Sequence, residues 1–226
     1  MTTATLDIKR RAVRIPVPTA MLEAEIMIPS HAHGVVVFAN ESGNIGREPR
    51  LHSVAASFNE SGIATVLTDL LTAEETRIDS MTREMRFDVA LLSERLVSII
   101  DWIAGEVDLG RLPLGLFGAS TGSSAALEAA ARRPAAVHAV VSRGGRPDLA
   151  DCLDLVRAPV LLIVGGADAA VLELNRQALH HLHSIRQLEI VPEATHLFEE
   201  RGAMDRVAQL AEEWFTRYVA GGEEEW

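Results

Sequence analysis

The alternation of two patterns restricts this chain most: from Gly34 onward, short β-branched apolar runs take turns with longer stretches of helical spacing. Such an order is the mark of a parallel sheet with helices on both faces. The runs are Gly34 to Ala39, Ile63 to Thr68, Leu114 to Gly118, Val137 to Ser142, Val160 to Gly165 and Gln187 to Val191. Most are continuously apolar, as parallel strands covered on both faces require. Ala12 to Ile15 and Met21 to Ile28 read as an antiparallel pair at one edge, joined through Pro18. Between the strands, Leu92, Leu96, Ile99 and Ile103 share one helical face, and so do Val207, Leu210, Trp214 and Tyr218. A third helix starts after Ser120 and stops before Pro134. At 226 residues the expectation is a single domain over 1–226, with an acidic tail at 221–226 that frays.

Composition removes several classes of function. The formal net charge of -11, with no run of basic residues, repels a phosphate backbone, so nucleic acid is not an expected partner. No apolar run approaches the ~20 residues of a membrane helix, and the basic N-terminus has no apolar stretch behind it. A lone cysteine, Cys152, allows no internal disulfide, which fits a reducing cytoplasm. Whether the protein forms a homo-oligomer through a sheet edge or an exposed Cys152 stays open.

Chemistry concentrates where strands end. The run into Gly118-Ala119-Ser120-Thr121-Gly122 is G-x-S-x-G between a strand and a helix. A serine on so tight a turn needs small neighbours, and the helix behind it aims backbone N–H groups at the charge that develops in acyl transfer. Such a hydroxyl needs a base, and the base needs an orienting carboxylate. Asp168 follows the strand ending at Gly165, and His196 follows the strand ending at Val191. Ser120, Asp168 and His196 thus occur in the chain order of the α/β-hydrolases, at the sheet edge where open α/β folds bind ligands. The bland alternatives are a Gly-rich packing turn for the serine, a helix N-cap for Asp168 and a loop histidine for His196. The other seven histidines precede strands, lie in regular structure or end a helix, and no metal site is expected from them.

These motifs resemble the dienelactone hydrolase family from about Gly34 to Val219, with FGASTG at Phe117 to Gly122, VVSRGGRPDLA at Val140 to Ala150, LLIVGGAD at Leu161 to Asp168 and ATHLFEE at Ala194 to Glu200. The resemblance implies an α/β-hydrolase fold with an eight-stranded sheet, no large cap, the same triad and no cofactor. Its prototypes carry cysteine at the nucleophile, whereas this chain has Ser120, which favours ordinary ester chemistry. The loop Asn40-Glu41-Ser42 looks like the Gln-Glu of those prototypes, where the glutamate interacts with the nucleophile. By that analogy the backbone N–H groups of Thr121 and of Asn40 or Glu41 form an oxyanion hole, and Glu41 tunes the nucleophile. A carboxylate there needs a cation, for which Arg47, Arg50, Arg86, Arg143 and Arg201 are candidates.

The expected function is hydrolysis of a small-molecule ester or lactone, with Ser42, Arg86, Arg143 and Leu197 as substrate-binding candidates. Thioesterase, acyltransferase or perhydrolase chemistry would use the same residues, and a silent hydrolase fold acting as a binding protein is a separate class. A nucleotide site is disfavoured by the absence of G-x-G-x-x-G and P-loop spacings. The polar stretch Thr72 to Arg86 reads equally as a lid or as a solvated helix start.

Overall fold

The alternating pattern folds into one eight-stranded sheet. The computed structural model describes residues 7–40 and 49–221. The strands are β1 (Ile8–Val17), β2 (Ala20–Pro29), β3 (Gly34–Asn40), β4 (Ile63–Asp69), β5 (Leu114–Ala119), β6 (Val137–Arg143), β7 (Val160–Gly165) and β8 (Arg186–Val191). The helices are α1 (Pro49–Glu60), α2 (Ala73–Thr82), α3 (Val89–Ala104), α4 (Thr121–Arg132), α5 (Ala169–His181) and α6 (Ala203–Phe215). Across the sheet the order is β1-β2-β4-β3-β5-β6-β7-β8. The contacts of β2 with β1 and β4 are antiparallel and every other contact is parallel.

Period-two alternation divides the core between the two faces. Val35, Val37, Leu116, Val140 and Leu162 pack with residues of α3, α4 and α5. Val36, Phe38, Phe117, Val141 and Ile163 pack with α1 and α6 on the other side. There Phe38, Phe58, Phe117 and Phe215 form a tilted and edge-on aromatic stack, with Phe38 and Phe117 centroids 4.9 Å apart. β3, β5 and β7 are buried along their whole length, which is why they read as unbroken apolar runs.

The edge hairpin is longer than its apolar pattern suggests. Pairing runs from Ile8↔Pro29 to Val17↔Ala20, four residues upstream of the expected start. Lys9 and Arg11 in that extension lie on the same side of the strand as Ile15 and Val17 and reach Asp108 and Glu106, each at 2.7 Å, so backbone pairing and ion pairs carry it without apolar periodicity.

The Thr72 to Arg86 stretch is a helix with a fixed start. The Thr72 side chain accepts the Glu75 N–H, and the Glu75 carboxylate accepts the Thr72 N–H, a capping box. Glu75 is also held bidentately by Arg95 of α3 at 2.6 and 2.7 Å, and Arg95 donates to the Leu70 carbonyl at 2.7 Å. Arg95 is 1% exposed. Its hydrogen bonds outweigh the effect of burial on Glu75 and, with those of Thr72, hold the Glu75 carboxyl down at about 2. Cys152 is buried rather than exposed, and burial with Glu128 nearby pushes its thiol up to about 12. Among the described residues, no helix is long and apolar enough to cross a membrane.

Candidate active site

β5 ends at Ala119 and α4 begins at Thr121, so Ser120 alone makes the turn. Its φ of 49° and ψ of −123° lie where a residue with a Cβ is strained, at a cost of about 1–3 kcal/mol. The surroundings hold it there. The Ser120 N–H donates to the Arg143 carbonyl, and the Ser120 carbonyl accepts from the Arg146 N–H, both at 3.2 Å. Gly118 is required behind the turn because a Cβ on it would stand 2.6–2.8 Å from the Gly122 and Ser123 backbone. Thr121 is the first residue of α4, and its N–H is among the helix's first four, which have no intrahelical acceptor.

Two strands further along, Asp168 caps α5 after β7. One carboxylate oxygen accepts the Val171 N–H at 3.4 Å, and the other lies 2.9 Å from His196 Nδ1. Asp168 therefore both caps α5 and bonds to His196. A carboxylate can only accept, so Nδ1 carries the ring proton and Nε2 is left as the basic nitrogen. The Asp168 side chain is 17% exposed and that of His196 39%, which shelters the acid while leaving the imidazole reachable.

Backbone bonds gather these pieces at one rim. Gly166 and Ala167 N–H groups donate to the Val191 and Ala194 carbonyls at 2.8 and 3.0 Å, fastening the Asp168 turn to the His196 loop. Gly144, next to the carbonyl that holds Ser120, lies against His196: a methyl built on it would stand 3.7 Å from His196 Cε1. The structure thus joins Asp168 to His196 directly and sets the Ser120 turn beside them through Arg143 and Gly144.

Glu200 is a brace that the sequence reading did not assign. It accepts the Thr195 N–H at 3.1 Å and the Thr195 hydroxyl at 2.7 Å, just before His196, and those bonds hold its carboxyl below the usual carboxylate range. A threonine five residues ahead of a glutamate in a loop was the available signal, and it is a weak one.

The remaining candidates separate clearly. Asn40 ends β3, with its carbonyl accepting Leu70 N–H at 2.8 Å and its amide donating to Asp69 at 2.9 Å. Arg143 is buried with its guanidinium 5.7 Å from the Phe198 ring centroid. Leu197 is 51% exposed, and its carbonyl accepts from Arg50 at 3.1 Å. Arg86 is engaged by Asp79 through both its backbone N–H and its guanidinium, at 3.0 and 2.6 Å, and so serves to tie the end of the α2 region. Glu41, Ser42 and Arg47 lie outside the described residues. Among the described residues no group of three or more His, Cys, Asp or Glu side chains could hold a metal.

Gly165 supports the histidine loop from below. A Cβ on it would meet the Ala194 and Thr195 carbonyl oxygens at 2.3 and 2.7 Å. Backbone cannot yield as a flexible side chain can, so Gly165→Ala is expected to displace the His196 loop, costing about 1–3 kcal/mol of stability through overpacking and lowering tenfold or more any activity that needs His196 in place. Steady-state kinetics on a chromogenic ester measure this, and unchanged turnover would show that the loop accommodates the methyl.

Comparison with known proteins identifies the family and the fold. The Dienelactone hydrolase family profile matches residues 22–220. A crystal structure of dienelactone hydrolase from Anabaena variabilis is 50% identical, covers 94% of this chain and 99% of its own, and superimposes with a TM-score of 0.90. Est1E from Butyrivibrio proteoclasticus, at 16% identity and a TM-score of 0.75 over 91% of this chain and 98% of its own, shares the fold alone. Two Mycobacterium tuberculosis proteins, from strains H37Rv and CDC 1551, are each 48% identical over 95% of this chain and carry the name "putative phosphoribosyl transferase". The chain spans 47% of their length. With the serine turn, the Asp168–His196 bond and the sheet order on the same footing, the chain belongs to the dienelactone hydrolase family of the α/β-hydrolase fold.

Proposed function

We propose that this chain is a serine hydrolase that cleaves a small carboxylic ester or lactone through an acyl-enzyme on Ser120. The observation that carries the reading is the strained Ser120 turn beside a histidine already bonded at 2.9 Å to a sheltered carboxylate. In this mechanism His196 Nε2 takes the Ser120 proton as Oγ attacks the carbonyl carbon, and Asp168 stabilises the imidazolium. The tetrahedral oxyanion is received by the Thr121 N–H and by one from the Asn40–Glu41 segment. His196 then returns the proton to the leaving alcohol, and water repeats the sequence to release the acid. The base must be neutral, so the rate rises from acid toward neutral pH.

Leu197, exposed in the His196 loop, and Arg143, whose carbonyl accepts the Ser120 N–H, belong to the same reading as residues that bind substrate. Glu41 belongs to the same reading as a residue that tunes the nucleophile. The name shared by the two mycobacterial relatives belongs to proteins about twice the length matched here, so it does not assign phosphoribosyl transfer to this part.

Covalent labelling with a fluorophosphonate, followed by peptide mapping, tests the proposal. The expected result is a single adduct on Ser120, together with turnover of chromogenic esters that varies with acyl length. An ester-cleaving preparation that is left unlabelled, or labelled on another residue, would refute it.

A further inference from the structure

Asn175 is wholly buried on α5, two helical turns beyond Asp168, the residue that caps the same helix. Its amide nitrogen donates to two carbonyls, that of Val171 at 2.8 Å within α5 and that of Gly145 at 3.0 Å outside it. Both partners are acceptors, which fixes the orientation of the amide: the NH2 group must face them. Gly145 is the middle of the segment that grips the nucleophile. On one side of it the Arg143 carbonyl accepts the Ser120 N–H, and on the other the Arg146 N–H donates to the Ser120 carbonyl. Ser124 of α4 closes the same turn through a hydrogen bond from its hydroxyl to the Arg146 carbonyl.

From this arrangement we infer that Asn175 is a positioning residue, which ties the helix carrying Asp168 to the turn that holds the backbone of Ser120. This rests on the proposed hydrolase reading and adds to it a reason why the two halves of the site stay in register. The backbone at Ser120 is strained, so it keeps its shape only while its N–H and carbonyl partners stay in place. Arg143 and Arg146 are neighbours in a short turn, and a turn with a buried carbonyl that has lost its donor will move to find one. Asn175 supplies that donor from α5. The path runs from Asp168 through α5, Asn175 and Gly145 to the backbone of Ser120, and neither Asn175 nor Gly145 belongs to the proposed triad. Losing the donor should misplace Oγ relative to His196 without altering the surface that binds the ester.

The test compares the wild type with Asn175→Leu and Asn175→Asp. Both variants keep the branched skeleton of the side chain, Asn175→Asp keeps its volume as well, and both lack an N–H for the Gly145 carbonyl. Active sites are counted by fluorophosphonate titration, and kcat and KM for one chromogenic ester are expressed per titrated site, with Tm recorded separately. The expected result is a fall of tenfold or more in kcat per titrated site in each variant that folds, with KM within about twofold of wild type. Asn175→Asp provides the measurement should Asn175→Leu fail to accumulate. A lowered Tm with kcat per titrated site unchanged would overturn the inference, because a purely structural asparagine behaves that way. Failure of the wild type itself to label at Ser120 would overturn the hydrolase reading and this inference with it, so the two failures are distinguishable.

Discussion

Ser120→Ala is expected to lower kcat for a chromogenic ester by at least about 10⁴-fold while leaving Tm unchanged or slightly raised. The size follows from the proposed role of Ser120 as nucleophile: without it, His196 and the proposed oxyanion N–H groups could do no more than assist direct attack by water. The unchanged stability follows from the position. Ser120 makes its described bonds through its backbone, and alanine keeps the same N–H, carbonyl and Cβ, so the grip of Arg143 and Arg146 persists. Removing a polar side chain from a functional turn is often neutral or stabilising. Circular dichroism melting and steady-state kinetics on the same preparation decide it. Retained ester cleavage in a folded Ser120→Ala protein would exclude the acyl-enzyme and reassign the chemistry.

The second large effect concerns stability. Glu75→Ala is expected to cost about 3–5 kcal/mol, because it strands the Arg95 guanidinium in a nearly solvent-free site without its bidentate partner. It also removes half of the capping box that starts α2. For a chain of this length that corresponds to a Tm lower by roughly 10 °C. The double change Glu75→Leu with Arg95→Met should recover most of the loss, since it is the unpaired buried charge that is expensive. If Glu75→Ala alone left Tm within two degrees, the pair would be a surface decoration rather than the fastening of α2 to α3.

The same pair gives an acid-side signature. Glu75 titrates at about 2 in the folded protein against 4.5 ordinarily, chiefly through its hydrogen bonds from Arg95. A carboxyl held low contributes stability that is complete above its unfolded value, so the contribution is whole above pH 4.5 and disappears as pH falls toward 2. Allowing for the partial exposure of Glu75, it amounts to about 2 kcal/mol. Chemical denaturation at pH 6 and pH 3 should therefore show wild type and Glu75→Ala converging at the lower pH.

How far the sequence disclosed all this depends on what each feature is made of. The six parallel strands and the faces of α3 and α6 were legible because burial on two faces, or on one, writes apolar periodicity directly. The start of β1 was not, since Lys9 and Arg11 hold it by ion pairs where apolar residues would otherwise mark the buried side of the strand. Asp168 and His196 stood out because each follows an unmistakable strand, and the structure bonds one to the other. Which of the two readings of Thr72 to Arg86 applies could not be read, because the deciding contact comes from Arg95, twenty residues past Glu75 and inside an apolar helix face. Asn175 was invisible because it acts on main-chain carbonyls, which leave no trace in residue identity, and Glu200 nearly so because its one signal is a threonine five residues before it.

Burial of the sole sulfur nucleophile also makes this protein convenient to instrument. With the Cys152 thiol pushed up to about 12 and shut inside against the Leu127 carbonyl, alkylating dyes at neutral pH have no natural target. A cysteine introduced at the exposed Met81 of α2 would accept a fluorophore or spin label site-selectively in the otherwise native background. Movement of that helix during turnover could then be followed in real time.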